Sequence, residues 1–205
     1  MAPKQTFHPP NGTQDSSPID LARRRWLIEH WRRVSSRHGF EEIDGPTFEH
    51  LGVYTTKSGE GIVSELFSFR RTGGKDDYAL RPEFTPTLAR MYAAKANSLP
   101  RPTKWFCTGN FFRAERPQRG RRREFWQWNA DVIGLDVDEK RLNAEGAEKD
   151  AKIAEAKARM DAEVIACVVG LMQSVGLTPE DVRVRVSDRY LAASLLRQSS
   201  GDGID

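Results

Sequence analysis

No apolar run in these 205 residues can span a bilayer. The longest nearly apolar stretch, Val164–Met172, falls well short of the roughly 20 residues a membrane helix needs. The N-terminus carries no apolar signal core either, so the expected location is the cytoplasm, with no membrane partner. Cysteine is scarce: Cys107 and Cys167 lie sixty residues apart, and neither stands at metal-ligand spacing with His8, His30, His38 or His50. That excludes a disulfide framework and leaves no metal site to expect from the protein's own side chains. No glycine-rich phosphate loop opens a helix, which argues against a Rossmann-type nucleotide site. Internal repeats are absent.

What is present is a chain long enough for one good core, at 38% hydrophobic content. Its net charge of +3 is unevenly spread. Residues 101–125 hold eight Lys/Arg against two acids, whereas residues 136–163 hold nine acids against six bases. The positive field is focused on one segment and favours an anionic ligand there.

That segment is the densest in information. Residues 111–134 read FFRAERPQRGRRREFWQWNADVIG, two runs rich in aromatic and β-branched residues around a Pro-Gln-Arg-Gly centre. The pattern predicts two strands joined by a loop. Strand side chains alternate between faces. Arg113 and Glu115 therefore share one face of the outgoing strand, and Phe125, Gln127, Asn129 and Asp131 share one face of the return strand. Trp126, Trp128, Ala130 and Val132 make the opposite, apolar face, expected to pack on a core. The loop adds Arg116, Arg119, Arg121, Arg122 and Arg123, whose planar guanidinium groups suit phosphate oxygens. Phe125 offers a ring on which a base can stack. Composition alone leaves two readings open: a solvated or backbone-binding arginine loop, or a nucleotide site.

Residues 1–15 are polar and proline-bearing, an arm followed by a turn. Ser17-Pro18 is a helix start, with Ile19, Ala22, Trp26, Leu27, His30, Trp31 and Val34 at helical spacing and Gly39 as the stop. His30 on that stripe reads as a packed core histidine rather than a ligand. Phe40–His50 reads as a strand interrupted by Pro46, hence an edge or a subunit boundary. Glu65–Arg71 and Tyr78–Arg81 are strand candidates joined by a glycine-rich turn. A helix from Thr87 to about Ala96 follows, capped by Thr85. Glu83 sits at that strand-to-helix junction, either as a first-turn carboxylate interacting with the helix dipole or as a fixed acid facing a ligand's ammonium group. Asp136–Arg159 has little apolar periodicity and reads as a solvated helix or insertion. Residues 161–176 form an amphipathic helix, Val182–Val186 alternates as a strand, and a last helix is expected from about Asp188 to Gln198 before a polar tail.

FFRAERPQRGRRREF followed by WQWNADVIG closely resembles motif 2 of class II aminoacyl-tRNA synthetases, and Arg-Pro-Gln-x-Gly-Arg resembles the histidyl-tRNA synthetase version. Leu80-Arg81-Pro82-Glu83-x-Thr85 resembles that family's amino-acid-binding loop. Gly12-Thr13-Gln14-Asp15 resembles its N-terminal segment, so the arm should be ordered against the domain. The helix, strand and proline of residues 17–50 resemble motif 1, which forms the dimer interface. The DAEVI and VxVSDR wording resembles the region after motif 2.

The resemblance implies an α+β catalytic domain: an antiparallel sheet flanked by helices, incomplete at the C-terminus. Its parts would be an arm (1–16), a core with motifs 1 and 2 (17–136), a charged insertion (137–160) and a continuation (161–205). It implies a histidine–tRNA ligase that uses ATP and Mg2+ to make histidyl-adenylate and charges tRNA(His), as a homodimer through the motif 1 region. Arg113 would be the catalytic α-phosphate clamp, also near the histidine. Arg121 or Arg123 would hold the β/γ phosphates, Phe125 would stack the adenine, and Glu115 would contact its edge or the tRNA end. Glu83, Thr85 and Gln127 would fix the histidine ammonium, and Asp131 would accept from the imidazole.

The chain departs from the family where motif 3, the second histidine-specific segment and the anticodon-binding domain are due, so an N-terminal portion is expected, with activity of these residues alone in question. Two alternatives stand beside this reading: the synthetase-like regulatory subunit of ATP phosphoribosyltransferase, and a non-catalytic dimerisation module. The joint presence of Arg113, Glu115, Arg121, Phe125 and Gln127 argues against a regulator, which has no need of an ATP site.

Overall fold

Ser17 opens the first helix by local chemistry alone. In the computed structural model, which describes residues 7–137, 142 and 145–188 apart from the side chains of Lys57, Ser58 and Glu60, helix α1 runs Pro18–Arg37. The Ser17 hydroxyl accepts from the Asp20 N–H, and the Asp20 carboxylate accepts from the Ser17 N–H, a reciprocal capping box. Gly39, at φ +76°, lets the chain leave the helix. His30 is buried against Trp26 and lies 3.2 Å from the Ser174 hydroxyl, a packed histidine as its stripe position suggests.

Pro46 divides what the sequence suggests as one strand. Strand β1 (Glu41–Glu42) and strand β2 (Phe48–His50) fall on either side of it and enter different sheets. A proline cannot donate to a ladder, so the break comes where the chain changes partners. After β2 come helix α2 (Leu51–Ser58), a 3-10 turn (Glu60–Glu65), strands β3 (Ser68–Arg70) and β4 (Asp77–Leu80), and helix α3 (Thr85–Ala93). Thr85 is the first residue of α3; Phe84 is the N-cap and no side chain caps that end. Strands β5 (Thr103–Phe112) and β6 (Glu124–Ile133) complete the larger sheet.

Among the described residues the sheets have three strands each. In one, of order β1-β5-β6, β1 runs parallel to β5 and β6 antiparallel to it. In the other, β2-β4-β3, all pairs are antiparallel. β6 therefore lies at an edge of its sheet. The small sheet turns Ala79 inward onto Tyr54 and Leu66. Its other face is open and clusters the rings of Phe48, His50, Phe69 and Tyr78, with Phe48 at 50% exposure.

The period of two sorts the larger sheet's two faces. Even-numbered Phe106, Trp128, Ala130 and Val132 pack with Val34, Phe40, Cys167 and Leu171 beneath α1 and the long helix α4 (Gly146–Ser174). Trp31 stacks parallel to Trp128, whose indole N–H donates to the Ser35 hydroxyl at 2.9 Å. Odd-numbered Trp105, Cys107, Phe111, Phe125 and Ile133 pack with Phe84 and Leu88 from the α3 side. Trp128, Ala130 and Val132 thus cover a core as the alternation suggests, whereas Trp126 lies against the Arg24 guanidinium and lines a cavity instead. The Phe125 face, whose polar Gln127, Asn129 and Asp131 suggest a surface open to solvent, is half-covered.

From Gly146 on, the charged stretch and the amphipathic stretch after it are one unbroken 29-residue helix, α4, and Ala156 is fully buried on it. Val182–Val186 has no regular structure, and Val186 is 71% exposed. Alternation needs a ladder partner, and none lies against this segment among the described residues. The expected terminal helix falls almost wholly outside the described residues.

Candidate active site

The hairpin of β5 and β6 pairs through all ten positions, from Thr103 with Ile133 to Phe112 with Glu124. One more bond, Arg113 N–H to the Arg123 carbonyl at 2.9 Å, carries the ladder past Phe112. Arg113 thereby inherits a strand's rigidity and the face of Phe111 and Phe125. Beyond it the loop closes on itself through reciprocal Gln118–Arg121 backbone bonds, with Gly120 at φ +79°.

A second element is brought alongside. The Phe112 N–H donates to the Arg81 carbonyl at 2.9 Å, and the Arg113 Nε to the Pro82 carbonyl at 3.4 Å. The Ala114 N–H donates to the Glu65 carbonyl. These bonds set Arg113 beside the Pro82-Glu83 junction and the end of the 3-10 turn.

The result is two cavities that share Arg113. One, of about 210 Å3, is lined by Ile62, Glu65, Leu66, Pro82, Glu83 and Arg113. The other, of about 320 Å3, has Arg113, Glu115, Arg116, Arg121, Arg122 and Phe125 in its walls. In the second the Arg113 guanidinium lies 5.3 Å from the centre of the Phe125 ring, which is tilted against Phe111. Arg121 reaches Glu115 at 3.4 Å, a contact exposed enough to yield to a stronger anion. A cluster of guanidinium groups beside a ring is suited to a polyphosphate joined to a base.

The remaining sequence candidates are placed less directly. Gln127 and Asp131 share the Phe125 face of β6 but line neither cavity. The Gln127 Oε1 is buried with no hydrogen-bond partner, an orphan acceptor that a ligand's N–H would satisfy. Thr85 is exposed at the start of α3. Arg123 lines neither cavity; its Nε donates to the Glu115 carbonyl at 3.1 Å and its Nη1 reaches the Asn11 carbonyl at 3.5 Å.

Two residues join the site to which the sequence assigns no role. Glu65 lines the smaller cavity, and Arg81 lies under the pair. Arg81 is 4% exposed and donates to the carbonyls of Asn110 (2.9 Å) and Gly45 (3.0 Å) and to the Asp44 carboxylate (2.8 Å). Its guanidinium lies 4.8 Å from the Phe111 ring centre. Gly109 makes room for it, because a Cβ there would overlap the Arg81 Nη2. An arginine directly after Tyr78-Ala79-Leu80 was the available signal.

Burial governs the titration of this face. It pushes the Cys107 thiol up to about 12, so that thiol, which accepts from the Asn129 amide at 3.6 Å, stays protonated and unreactive. Burial also raises the Asp131 carboxyl above its usual 3.8. The folded chain therefore holds that proton more tightly than the unfolded chain does. Stability is lost as pH rises through 3.8 towards the raised value, and the loss is complete above it. Asp131→Asn should raise the melting temperature near neutral pH, with the gain vanishing below about pH 3.8, as thermal unfolding across pH would show. An unchanged gain at acid pH would mean that the ionised carboxylate is not the cause.

A family model described as histidyl-tRNA synthetase matches residues 12–202. The chain belongs to the histidyl-tRNA synthetase family. It is 40% identical over 191 residues to a histidine–tRNA ligase of Haloarcula marismortui, covering 93% of this chain and 39% of that protein. A chloroplastic/mitochondrial histidine–tRNA ligase of Arabidopsis thaliana is 37% identical, with 95% of this chain and 36% of the relative covered. The chain thus spans about two-fifths of the length of these curated relatives. Among solved structures, an ATP phosphoribosyltransferase regulatory subunit/histidyl-tRNA synthetase from Bacillus halodurans superposes with a TM-score of 0.62. That match covers 87% of this chain and 40% of the other at 22% identity, which shows the fold alone. The histidyl-tRNA synthetase family is thus shown by the relatives and the α+β fold by the superposition. No helix among the described residues is long and apolar enough to cross a membrane, and none of their His, Cys, Asp and Glu residues group in threes to hold a metal.

Proposed function

We propose that this chain carries the histidine-activating part of a histidine–tRNA ligase, which joins histidine to ATP as histidyl-adenylate and then charges tRNA(His). The observation that carries this reading is the position of Arg113, shared by an acid-lined cavity and an arginine-lined one. A reaction that joins an amino acid to a nucleotide needs one cation at the seam between two such compartments.

In this reading histidine occupies the Glu83 side. Glu83, with Thr85 and the orphan Gln127 Oε1, attracts its ammonium group, and Asp131 accepts from its imidazole. ATP, carrying its Mg2+ as part of the substrate, occupies the loop side. Phe125 stacks the adenine, Glu115 takes its edge or the tRNA end, and Arg121 meets the β/γ phosphates. The histidine carboxylate attacks the α-phosphorus and pyrophosphate leaves, so negative charge grows on oxygens beside Arg113. A fixed guanidinium at that point favours the transition state over the ground state. Among the described residues no group of His, Cys, Asp or Glu forms a ready-made metal cage, and the charge that grows in the reaction is met by Arg113.

The open ring cluster of Phe48, His50, Phe69 and Tyr78, next to Pro46, supports a homodimer through the motif 1 region, because exposed apolar patches mark contact surfaces. Two buried cysteines in no disulfide support a cytoplasmic setting. The test is ATP–pyrophosphate exchange by the full-length protein with each amino acid in turn. Exchange dependent on histidine is expected. ATP binding without any exchange would favour a regulatory paralogue and sink the ligase reading.

A further inference from the structure

We propose that the N-terminal arm around Asn11 and Gly12 is a positioning strap that holds the arginine hairpin in its nucleotide-binding shape; this rests on the ATP reading above. The strap is built from main chain. The Gly12 carbonyl accepts from the Arg123 N–H at 2.8 Å and from the Glu124 N–H at 3.4 Å. The Arg123 carbonyl in turn accepts from the Arg113 N–H at 2.9 Å. A single residue, Arg123, therefore links the arm to the candidate clamp. Its side chain adds a second tie, between the Glu115 carbonyl at 3.1 Å and the Asn11 carbonyl at 3.5 Å. The arm thus fixes both sides of the loop, at Arg113–Glu115 going out and at Arg123–Glu124 coming back.

The arm is shaped for this contact. The Thr13 N–H and hydroxyl both donate to the Pro10 carbonyl, at 3.0 and 2.7 Å, closing a turn. Gly12 sits in that turn at φ +85°, and a Cβ there would lie 2.8 Å from the Arg123 Cγ and 2.9 Å from the Pro117 Cγ. Only glycine combines the positive φ with so close an approach. With Arg123 spent on the strap, the loop arginines that line the cavity are Arg116, Arg121 and Arg122. Small displacements of positioned groups weaken binding and catalysis out of proportion to their size, so the strap acts on ATP through Arg113 without touching it.

The experiment uses the full-length protein in three forms: wild type, Gly12→Val, and a chain lacking residues 1–13. Calorimetry gives affinities for ATP and for histidine, thermal unfolding gives stability, and brief trypsin treatment reports cleavage within residues 116–123. Losing one or two hydrogen bonds at the loop should weaken ATP binding about tenfold in both variants. Histidine affinity and melting temperature should stay close to wild type, and loop cleavage should speed up. ATP affinity unchanged in both variants would overturn the strap. So would a joint fall of ATP affinity, histidine affinity and melting temperature, which is the mark of an arm that merely stabilises the fold. If the wild type itself bound no ATP, the nucleotide site would fail first and the strap with it.

Discussion

Arg113→Ala is expected to slow adenylate formation by about 10²–10³-fold, the cost of removing one preorganised charge-stabilising donor. Folding should be spared, because the side chain holds to the protein by a long bond to the Pro82 carbonyl and by its approach to the Phe125 ring. The ladder bond of residue 113 is made by its backbone and survives the substitution. Presteady-state adenylation at saturating histidine and ATP isolates the chemical step. The loss should appear in the rate at saturation rather than in the concentration needed to reach it. A rate within a few-fold of wild type would take the clamp role away from Arg113 and move it to Arg116 or Arg121.

The second large effect lies beneath the site. Arg81→Met strands two part-buried carbonyls, those of Asn110 and Gly45, and empties the place under Phe111. Asp44 contributes less, being 67% exposed and able to return to water. Together these should cost about 2–4 kcal/mol, which for a chain of this size lowers the melting temperature by roughly 5–15 °C. Gly109→Ala presses a methyl into the same guanidinium and should cost about 1–3 kcal/mol. In the double variant the thioether chain can move aside, so the combined loss should be clearly less than the sum. Strict additivity in urea unfolding would show that Gly109 and Arg81 do not restrain one another.

Features written in neighbouring residues were legible in the sequence. Ser17, Pro18 and Asp20 lie within one turn and make a capping box without help from the rest of the chain. The β5–β6 hairpin declares itself because period-two alternation continues across its whole length and one face must be apolar. Arg113, Glu115 and Phe125 could be assigned to a common wall for the same reason. Features that depend on distant partners were not legible. Nothing near Glu65 says that its carbonyl meets Ala114. Arg123 looks like its neighbours until the arm folds over it. The alternation of Val182, Val184 and Val186 promises a strand but cannot supply the ladder. Residues 146–160, with little apolar periodicity, leave helix and insertion open in the sequence, and abundant Ala, Glu and Lys sustain a helix there by intrinsic preference. Pro46 marks a break within Phe40–His50, but that its two sides join different sheets is a matter of tertiary pairing.

The edge position of β6 has a practical consequence. Along this ten-residue strand the main-chain groups of every second residue face outward, with no strand beside them among the described residues. Main-chain pairing at such an edge is generic in chemistry and is steered by the side chains on each face. The hairpin is therefore a natural seam for building the molecule from two separately made pieces, with a β-rich peptide supplied in trans docking along β6. The same receptiveness makes this edge the first place to add a lysine or proline when the chain is handled at high concentration.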